Sequence, residues 1–322
     1  CANTDSQALS MIHNAKTIKL GNDLTKGLGA GNNPEVGKQA TELSRQEIIE
    51  NLANTEMLFI AAGMGGGTGT GGAPVIAKIA KELNILTVAV VTTPFKTEGQ
   101  KRASQAKNGI SSLIENVDSL IEVDNEKVFE IFPSETPIEK AFTRVNDVLM
   151  NAVKGVANIV LKPSKINVDF ADVLAVMSQK GMALMGYGSA AGEDRAYKAI
   201  HEALNNPFFD RNEVKNAKGL LVNVCASSSI TQKELKDILE EASSIGQDGV
   251  EAIPGLTIDE SFGSTISVII IATGLRRFNL GEFNTPTVFT TRVNSENLSD
   301  GFLDLDQLEK ANISEVLGRL KN

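Results

Sequence analysis

The most informative stretch of the sequence is Gly63-Met64-Gly65-Gly66-Gly67-Thr68-Gly69-Thr70-Gly71-Gly72, in which seven of ten residues are glycine. It follows an apolar run at residues 57–62, which predicts a buried strand, and precedes apolar residues at helical spacing, which predict a helix. Pro74 would lie in the first turn of that helix, where a missing N–H is tolerated. A glycine-rich turn before a helix N-terminus presents backbone amides and the positive end of the helix dipole to an anion. The stretch therefore predicts a phosphate-binding loop and not a flexible linker.

Two common phosphate loops fit this stretch poorly. A Walker A loop ends in Gly-Lys-Ser/Thr, but no lysine occurs in or after the stretch before Lys78. Three of the glycines match G-x-G-x-x-G, the dinucleotide fingerprint. However, the next predicted strand, at 85–92, is followed by Thr93-Pro94-Phe95-Lys96, where that fold requires an acidic residue for the ribose. A nicotinamide-dependent oxidoreductase is therefore a disfavoured alternative.

Residues 65–71 instead resemble the Gly-Gly-Gly-Thr-Gly-Thr-Gly signature of the tubulin superfamily of GTPases, and the flanking residues are similar to its bacterial cell-division branch. The likeness extends to roughly residue 275. It implies a doubly wound α/β GTP-binding domain at 1–136, joined by a long central helix at 137–161 to a smaller α+β domain at 162–275. A linker and C-terminal tail would occupy 276–322. Apolar residues recurring every three to four positions independently predict the central helix.

The same likeness implies a site for GTP or GDP, with Mg²⁺ held through the phosphates and no separate protein metal site. A second glycine cluster at 27–31 precedes Pro34, another helix start, and would approach the γ-phosphate. Glu98 and Arg102 also fit an ordinary i,i+4 ion pair on one helix. The implied nucleotide-binding residues are Asn3, Asp5, Gly29, Ala30, Gly31, Asn32, Gly65, Gly66, Gly67, Thr68, Gly69, Thr70, Gly71, Pro94, Glu98, Arg102, Phe142 and Asn146.

Hydrolysis would require a neighbouring subunit. Asn167, Asp169 and Asp172 match the loop that enters the next subunit's nucleotide site in this superfamily, where the carboxylates orient water. Asp169 and Asp172 also suit a helix N-cap and first turn, and both roles are compatible. The resemblance thus implies a homopolymer that assembles head-to-tail into the division ring at mid-cell. A non-catalytic assembling protein is the main alternative.

Composition narrows the remaining functional classes. The 322 residues are 42% hydrophobic, enough for a substantial core and about two domains. A net charge of −9 and two scattered histidines disfavour nucleic acid as a partner and metal or histidine-based catalysis. Two cysteines and no long apolar segment indicate a cytoplasmic chain without direct membrane insertion.

The two ends of the sequence carry further expectations. The chain opens at Cys1 without methionine, and the resemblance implies that a strand and a first glycine-rich loop precede it in the family, so we expect an internal fragment. At the other end, Asn312 and Glu315 predict a capping box on a short helix that would fold on a division-ring partner protein.

Hydrophobic periodicity predicts the remaining elements. One helix is expected at 34–52, with Leu43, Ile48 and Ile49 facing inward. The second half is expected to contain strands at 182–191, 219–225, 251–258 and 265–273, with helices at 193–204 and 231–242.

Overall fold

The computed structural model describes residues 1–127, 150, 153–154, 157, 170–246 and 250–275. All of them belong to one compact unit, Cys1–Arg277. Of the predicted central helix, the structure describes Met150, Val153, Lys154 and Ala157, and all four are helical. The rest of that prediction lies outside the described residues, as does the capping box at Asn312.

Helices and strands alternate through the first half of the chain. The strands are β1 (Ala2–Asn3), β2 (Ile18–Lys19), β3 (Met57–Gly63), β4 (Leu86–Thr93), β5 (Ser119–Asp124), β6 (Gly181–Ala191), β7 (Gly219–Ala226), β8 (Glu251–Ile258) and β9 (Thr265–Leu275). The α-helices are α1 (Ser6–Ser10), α2 (Asn22–Thr25), α3 (Pro34–Leu43), α4 (Arg45–Leu52), α5 (Thr68–Glu82), α6 (Gln100–Ile114), α7 (Phe170–Met177), α8 (Arg195–Leu204), α9 (Arg211–Val214) and α10 (Gln232–Ser243).

Seven strands form one sheet in the order β3-β4-β5-β6-β9-β7-β8, while β1 and β2 pair separately. Strands β3, β4, β5 and β6 run parallel to one another. Strand β9 is antiparallel to both β6 and β7, and β7 is parallel to β8. Parallel strands require crossover helices, which explains the alternating pattern. The predicted α/β class with a largely parallel sheet is confirmed.

The two halves of the chain share a sheet and a core. Strand β5 pairs with β6 at three positions. One buried cluster combines Val88 and Ile121 from the first half with Met177 and Ile271 from the second, and Val153 packs against it. The domain boundaries at 136 and 162 stay a prediction.

The single helix predicted at 34–52 is wrong, because two helices meet at Ser44. The backbone of Ser44 (φ −97°, ψ 13°) ends α3 and begins α4. The change of direction turns Leu43 outward, and its side chain is 67% exposed, whereas Ile48 is buried as expected. Local periodicity carries no information on such a break.

The position predicted for Pro74 is also wrong. Helix α5 begins at Thr68, with the Gly71 amide donating to the Gly67 carbonyl at 3.0 Å, so Pro74 lies inside it. Proline removes the usual helical partner of the Thr70 carbonyl. That carbonyl lies against Gly109 of α6, where an added Cβ would approach it to 3.2 Å. The glycines of the stretch therefore continue into the helix.

The predicted elements of the second half agree with β6 to β9, α8 and α10 to within two residues. Thr231 and Glu234 form a capping box at the start of α10. Arg195 of α8 donates to both carboxylate oxygens of Glu234, at 2.7 and 3.2 Å. This hydrogen bonding lowers the pKa of Glu234 to about 2.

Among the described residues, no helix combines the length and apolar character needed to cross a membrane.

Candidate functional site

The central loop connects the carboxyl end of β3 to the N-terminus of α5. The Met64 amide donates to the Thr92 carbonyl at 2.8 Å, and the Gly65 amide donates to the Thr70 hydroxyl at 2.9 Å. Gly65 has φ +102°, and an added Cβ would lie 3.1 Å from Pro94 Cγ and from the Arg102 carbonyl. Only glycine fits there without strain.

Gly66 has different surroundings from the other glycines of the stretch. Residues 63–72 are all described, and Gly66 is the one glycine among them where an added Cβ would meet nothing within 4 Å. It is half-buried and follows Gly65, whose positive φ favours glycine. The open space beside Gly66 is therefore where a ligand can approach the loop backbone.

The second loop contacts the first. Residues in the left-handed region recur along it: Lys26, Gly27, Gly29, Gly31 and Asn32. An added Cβ at Gly67 would lie 2.7 Å from the Ala30 methyl and 3.0 Å from the Asn33 amide nitrogen. The absence of a side chain at Gly67 thus allows the two loops to pack directly against each other.

Both loops lead into helix N-termini that lie side by side. Asn33 caps α3, with its side-chain oxygen accepting from the Glu35 amide at 3.0 Å, and Pro34 is the first helical residue as predicted. Helix α3 approaches α5 through Gly37, where an added Cβ would clash with the Gly67 carbonyl. Two adjacent helix N-termini favour bound negative charge.

The early turn after β1 completes one wall of this region. Asp5 caps α1, with Oδ1 accepting from the Gln7 and Ala8 amides at 2.8 and 3.2 Å. Asn3 Oδ1 accepts from the Asp5 amide at 3.2 Å. A helix cap is thus one role of Asp5.

Glu98 and Arg102 form an ion pair, although they do not share one helix as expected. Glu98 ends a 3₁₀ turn at Lys96–Glu98, and Gly99 with φ +94° separates it from α6. Glu98 Oε1 also accepts from the Phe95 amide at 2.9 Å. Arg102 of this pair is also the residue whose backbone carbonyl lies against Gly65.

A cavity of about 440 Å³ lies between β1 and β3. Its lining includes Ala2 and Asn3 of β1 and every residue from Leu58 to Gly63 of β3. Strand β3 is the edge of the seven-stranded sheet as described. The cavity therefore separates two strand edges that face each other.

The helix that bears Asp172 is anchored at the opposite edge of the sheet from the two loops. Asp172 is an exposed residue in the first turn of α7. The C-terminal end of α7 is held at the amino end of β5, where the Ser119 hydroxyl donates to the Met177 carbonyl at 2.7 Å. The register aligns Ser119 with Val88, and Val88 with Phe59, four residues before Gly63. At about 3.3 Å per residue, about 13 Å along the strands separate that anchor from the loop.

The remaining predicted site residues, Phe142, Asn146, Asn167 and Asp169, lie outside the described residues. Within the described ranges, no group of three or more His, Cys, Asp or Glu side chains could hold a metal ion.

Comparison with known proteins places this site in a family. The model of the Tubulin/FtsZ family GTPase domain matches residues 1–133, and that of the FtsZ family C-terminal domain matches 181–276. The cell division protein FtsZ of Pseudomonas putida is 46% identical over 275 residues, covering 85% of this chain and 69% of the relative. The chain belongs to the FtsZ family.

Two further FtsZ relatives agree with this assignment. FtsZ of Coxiella burnetii is 43% identical over 310 residues, which cover 96% of this chain and 79% of the relative. A solved FtsZ dimer from M. jannaschii superposes with a TM-score of 0.81 and 40% identity, covering 89% of this chain and 86% of that chain. The resemblance inferred from the glycine stretch is confirmed.

Two residues that lie against the FtsZ-family loops are absent from the nucleotide-binding residues predicted from the sequence. Thr4 is completely buried between the predicted site residues Asn3 and Asp5. Gln105 of α6 donates from Nε2 to the Asn32 carbonyl at 3.2 Å, and its Oε1 is buried without a partner in the described structure. Neither residue type carries a motif signal, although the position of Thr4 within Asn-Thr-Asp could have drawn attention to it.

Proposed function

We propose that this protein binds and hydrolyses GTP as a head-to-tail polymer, with each hydrolysis site completed by the neighbouring subunit. The observation that carries the proposal is the arrangement of the sheet edges. Two glycine loops meet at the carboxyl edge, and the helix that bears Asp172 is anchored at the amino edge.

The two loops would hold the phosphates. Backbone amides of residues 66–70 and of Ala30, Gly31 and Asn32 would surround them, with the N-termini of α3 and α5 supplying positive potential. Gly65 and Gly29 would shape the loops, since their amides already donate to the Thr70 hydroxyl and the Thr4 carbonyl. Thr68 and Thr70 contribute hydroxyls, although Thr70 already accepts from the Gly65 amide. Mg²⁺ would be held through the phosphate oxygens and would neutralise their charge.

The sugar would extend from the loops toward the segment 94–102, and the base toward the predicted central helix. Pro94 and Arg102 lie beside Gly65, and Glu98 pairs with Arg102. These three residues would line the path of the ribose. Phe142 would pack on the guanine, and Asn146 would pair with its edge through a donor and an acceptor.

The anchoring of the helix that bears Asp172 supports a requirement for assembly. We infer that carboxylates on a helix held at the amino edge lie too far from phosphates bound at the carboxyl edge of the same sheet to orient water there. A head-to-tail contact brings the amino edge of one subunit to the carboxyl edge of the next, and repetition of such a contact generates a filament. Asn167, Asp169 and Asp172 would then complete the neighbour's site. The similarity to an FtsZ dimer supports such self-association.

Phosphate release from GTP, measured against protein concentration, tests this proposal. Activity per subunit is expected to rise with concentration and then level off as filaments form. Asp172→Ala should bind GTP and assemble yet hydrolyse poorly, whereas Gly66→Val should fail to bind because its side chain fills the open space at the loop. The two variants are then mixed in equal amounts. About a quarter of random head-to-tail junctions pair the intact loop of Asp172→Ala with the intact carboxylate of Gly66→Val, so about a quarter of the unsubstituted protein's activity should return.

The matched control is Asp237→Ala, which removes another exposed helical carboxylate from the second half of the chain. It should leave hydrolysis unchanged. A specific activity independent of concentration, or a mixture without recovery, would contradict the shared site. Assembly without any phosphate release would favour the non-catalytic assembling protein. NAD-dependent reduction would favour the oxidoreductase.

The proposed cellular setting follows from this activity. A polymer of this family would act in the cytoplasm, at the division site at mid-cell, as part of the division ring. Division-ring partner proteins would bind the C-terminal tail at 276–322, which lies outside the described residues.

A further inference from the structure

Thr4 connects three segments of the chain through hydrogen bonds. Its side chain is completely buried. Its hydroxyl lies 2.6 Å from the hydroxyl of Thr68, and its carbonyl accepts from the Gly29 amide at 3.1 Å and from the Thr25 hydroxyl at 3.2 Å. These partners are 21 to 64 residues away in sequence, so the bonds join segments that no local structure holds together.

The partners of Thr4 are located where the two glycine loops are fixed. Thr68 is the first residue of α5 and ends the central loop. Gly29 has φ +87° and lies within the second loop. Thr25 ends α2, and its hydroxyl also accepts from the Gly27 amide at 3.4 Å. One buried residue therefore sets the position of each loop relative to the other.

The contact between the two hydroxyls also affects what Thr68 can offer to a ligand. A hydroxyl has one proton and two acceptor lone pairs. When Thr4 donates to Thr68, the Thr68 proton remains available to an acceptor at the N-terminus of α5. An oxyanion bound there favours this arrangement because it accepts that proton, and charge-assisted hydrogen bonds are stronger than neutral ones.

We propose that Thr4 is a positioning residue for the nucleotide phosphates, which holds Thr68 and the second glycine loop in a single relative arrangement. This inference rests on the proposed GTP-binding function and adds a residue to that site. Thr4 itself does not touch the ligand, since it is completely buried behind Thr68. It acts through the two loops, so its loss should weaken binding more than a loss of stability alone explains.

A matched control distinguishes the proposed positioning role of Thr4 from a purely structural role. Thr87 of β4 is 1% exposed, and its hydroxyl donates to the Ile85 carbonyl at 2.9 Å. Thr87→Val and Thr4→Val each replace a buried hydroxyl by a methyl group of the same shape. Both are expected to lower the urea midpoint of unfolding by similar amounts, since each removes hydrogen bonding from one buried threonine. Only Thr4 contacts the loops.

The experiment measures binding of a fluorescent GTP analogue and amide hydrogen exchange without nucleotide, at residues 27–33 and 64–69. Thr4→Val should weaken binding about tenfold, as expected for an interaction worth about 1.4 kcal/mol. Thr4→Ser, which keeps the hydroxyl, should restore affinity, and Thr87→Val should retain it. In Thr4→Val, exchange should accelerate at 64–69, which loses the bond to the Thr4 hydroxyl. It should also accelerate at 27–33, because residue 4 without that anchor holds the Gly29 amide less firmly through its carbonyl. Neither loop should change in Thr87→Val.

Equal affinities of Thr4→Val and Thr87→Val would overturn the inference. If Thr4→Val does not fold, Thr25→Val replaces it. This variant removes the bond to the Thr4 carbonyl together with those to Gly21 and Gly27, so the deciding measurement is exchange at 64–69, where Thr25 has no hydrogen-bond partner. Faster exchange there supports the inference, and unchanged exchange overturns it. If the unsubstituted protein binds no GTP, the proposed function is wrong. Hydrogen exchange then decides alone: unchanged exchange of both loops overturns the coupling by Thr4, and faster exchange of both supports it.

Discussion

Gly71 should be required for the packing of α3 on α5 rather than for contact with a ligand. A Cβ added at Gly71 would lie 2.6 Å from the Lys38 backbone nitrogen and closer still to the Pro34 carbonyl oxygen. The distance to nitrogen is 0.8 Å below the 3.4 Å at which ordinary contact begins. Both obstructing atoms are backbone, so no side chain can rotate away and α3 has to move.

The expected cost of Gly71→Ala combines two opposing effects. Overpacking of a core costs about 1–3 kcal/mol, and a backbone clash belongs at the upper end. Alanine gains about 1 kcal/mol over glycine inside a helix, which offsets part of this cost. The free energy of unfolding should therefore fall by about 2 kcal/mol. With a urea dependence of about 2 kcal/mol/M, the midpoint falls by about 1 M.

Urea unfolding followed by circular dichroism measures this shift, and Gly66→Ala is the control. An added Cβ at Gly66 meets nothing within 4 Å, so its effect on stability should stay within about 0.5 kcal/mol. In a GTP-binding assay on folded protein, Gly66→Ala should instead have the larger effect of the two variants, because its side chain narrows the approach to the loop. Equal midpoints for the two variants would refute the assignment of Gly71 to helix packing.

Two further predictions concern acid stability and base selectivity. Because Arg195 lowers the folded-state pKa of Glu234 from 4.5 to about 2, this group stabilises the fold above pH 4.5 and loses that contribution as the pH falls toward 2. Glu234→Gln, which can still accept in the capping box, should therefore flatten the dependence of stability on pH in this window; an unchanged slope in acid titrations of unfolding would contradict it. Asn146→Leu should reduce the preference for GTP over ATP more than it reduces stability, and intact selectivity in a competition assay would return Asn146 to a packing role.

Local sequence patterns predicted most of the elements. Strand β3, the glycine turn and the strands β6 to β9 were predictable because alternation and apolar runs depend on backbone geometry and burial within one segment. The family signature at 65–71 added the type of phosphate loop. These features depend on residues that are close together in the chain.

Errors arose where one segment meets another. The break at Ser44 and the early start of α5 depend on how α3, α5 and α6 pack, and the glycines at 37, 71 and 109 permit that close approach. Periodicity assigns a residue to a face of its own helix but does not show which backbone lies opposite. Periodicity therefore predicted the wrong helical turn for Pro74 and an inward orientation for Leu43.

Glycine content and apolar spacing are local properties, so the sequence alone shows that a phosphate loop joins a strand to a helix. Which glycine faces open space and which faces another helix follows from the packing of segments that are distant in the chain. The same is true of Thr4, which joins both loops, and of the helix that bears Asp172, whose C-terminal end is held at the amino edge of the sheet. These relations depend on hydrogen bonds and packing between residues far apart in the chain, which no local pattern encodes.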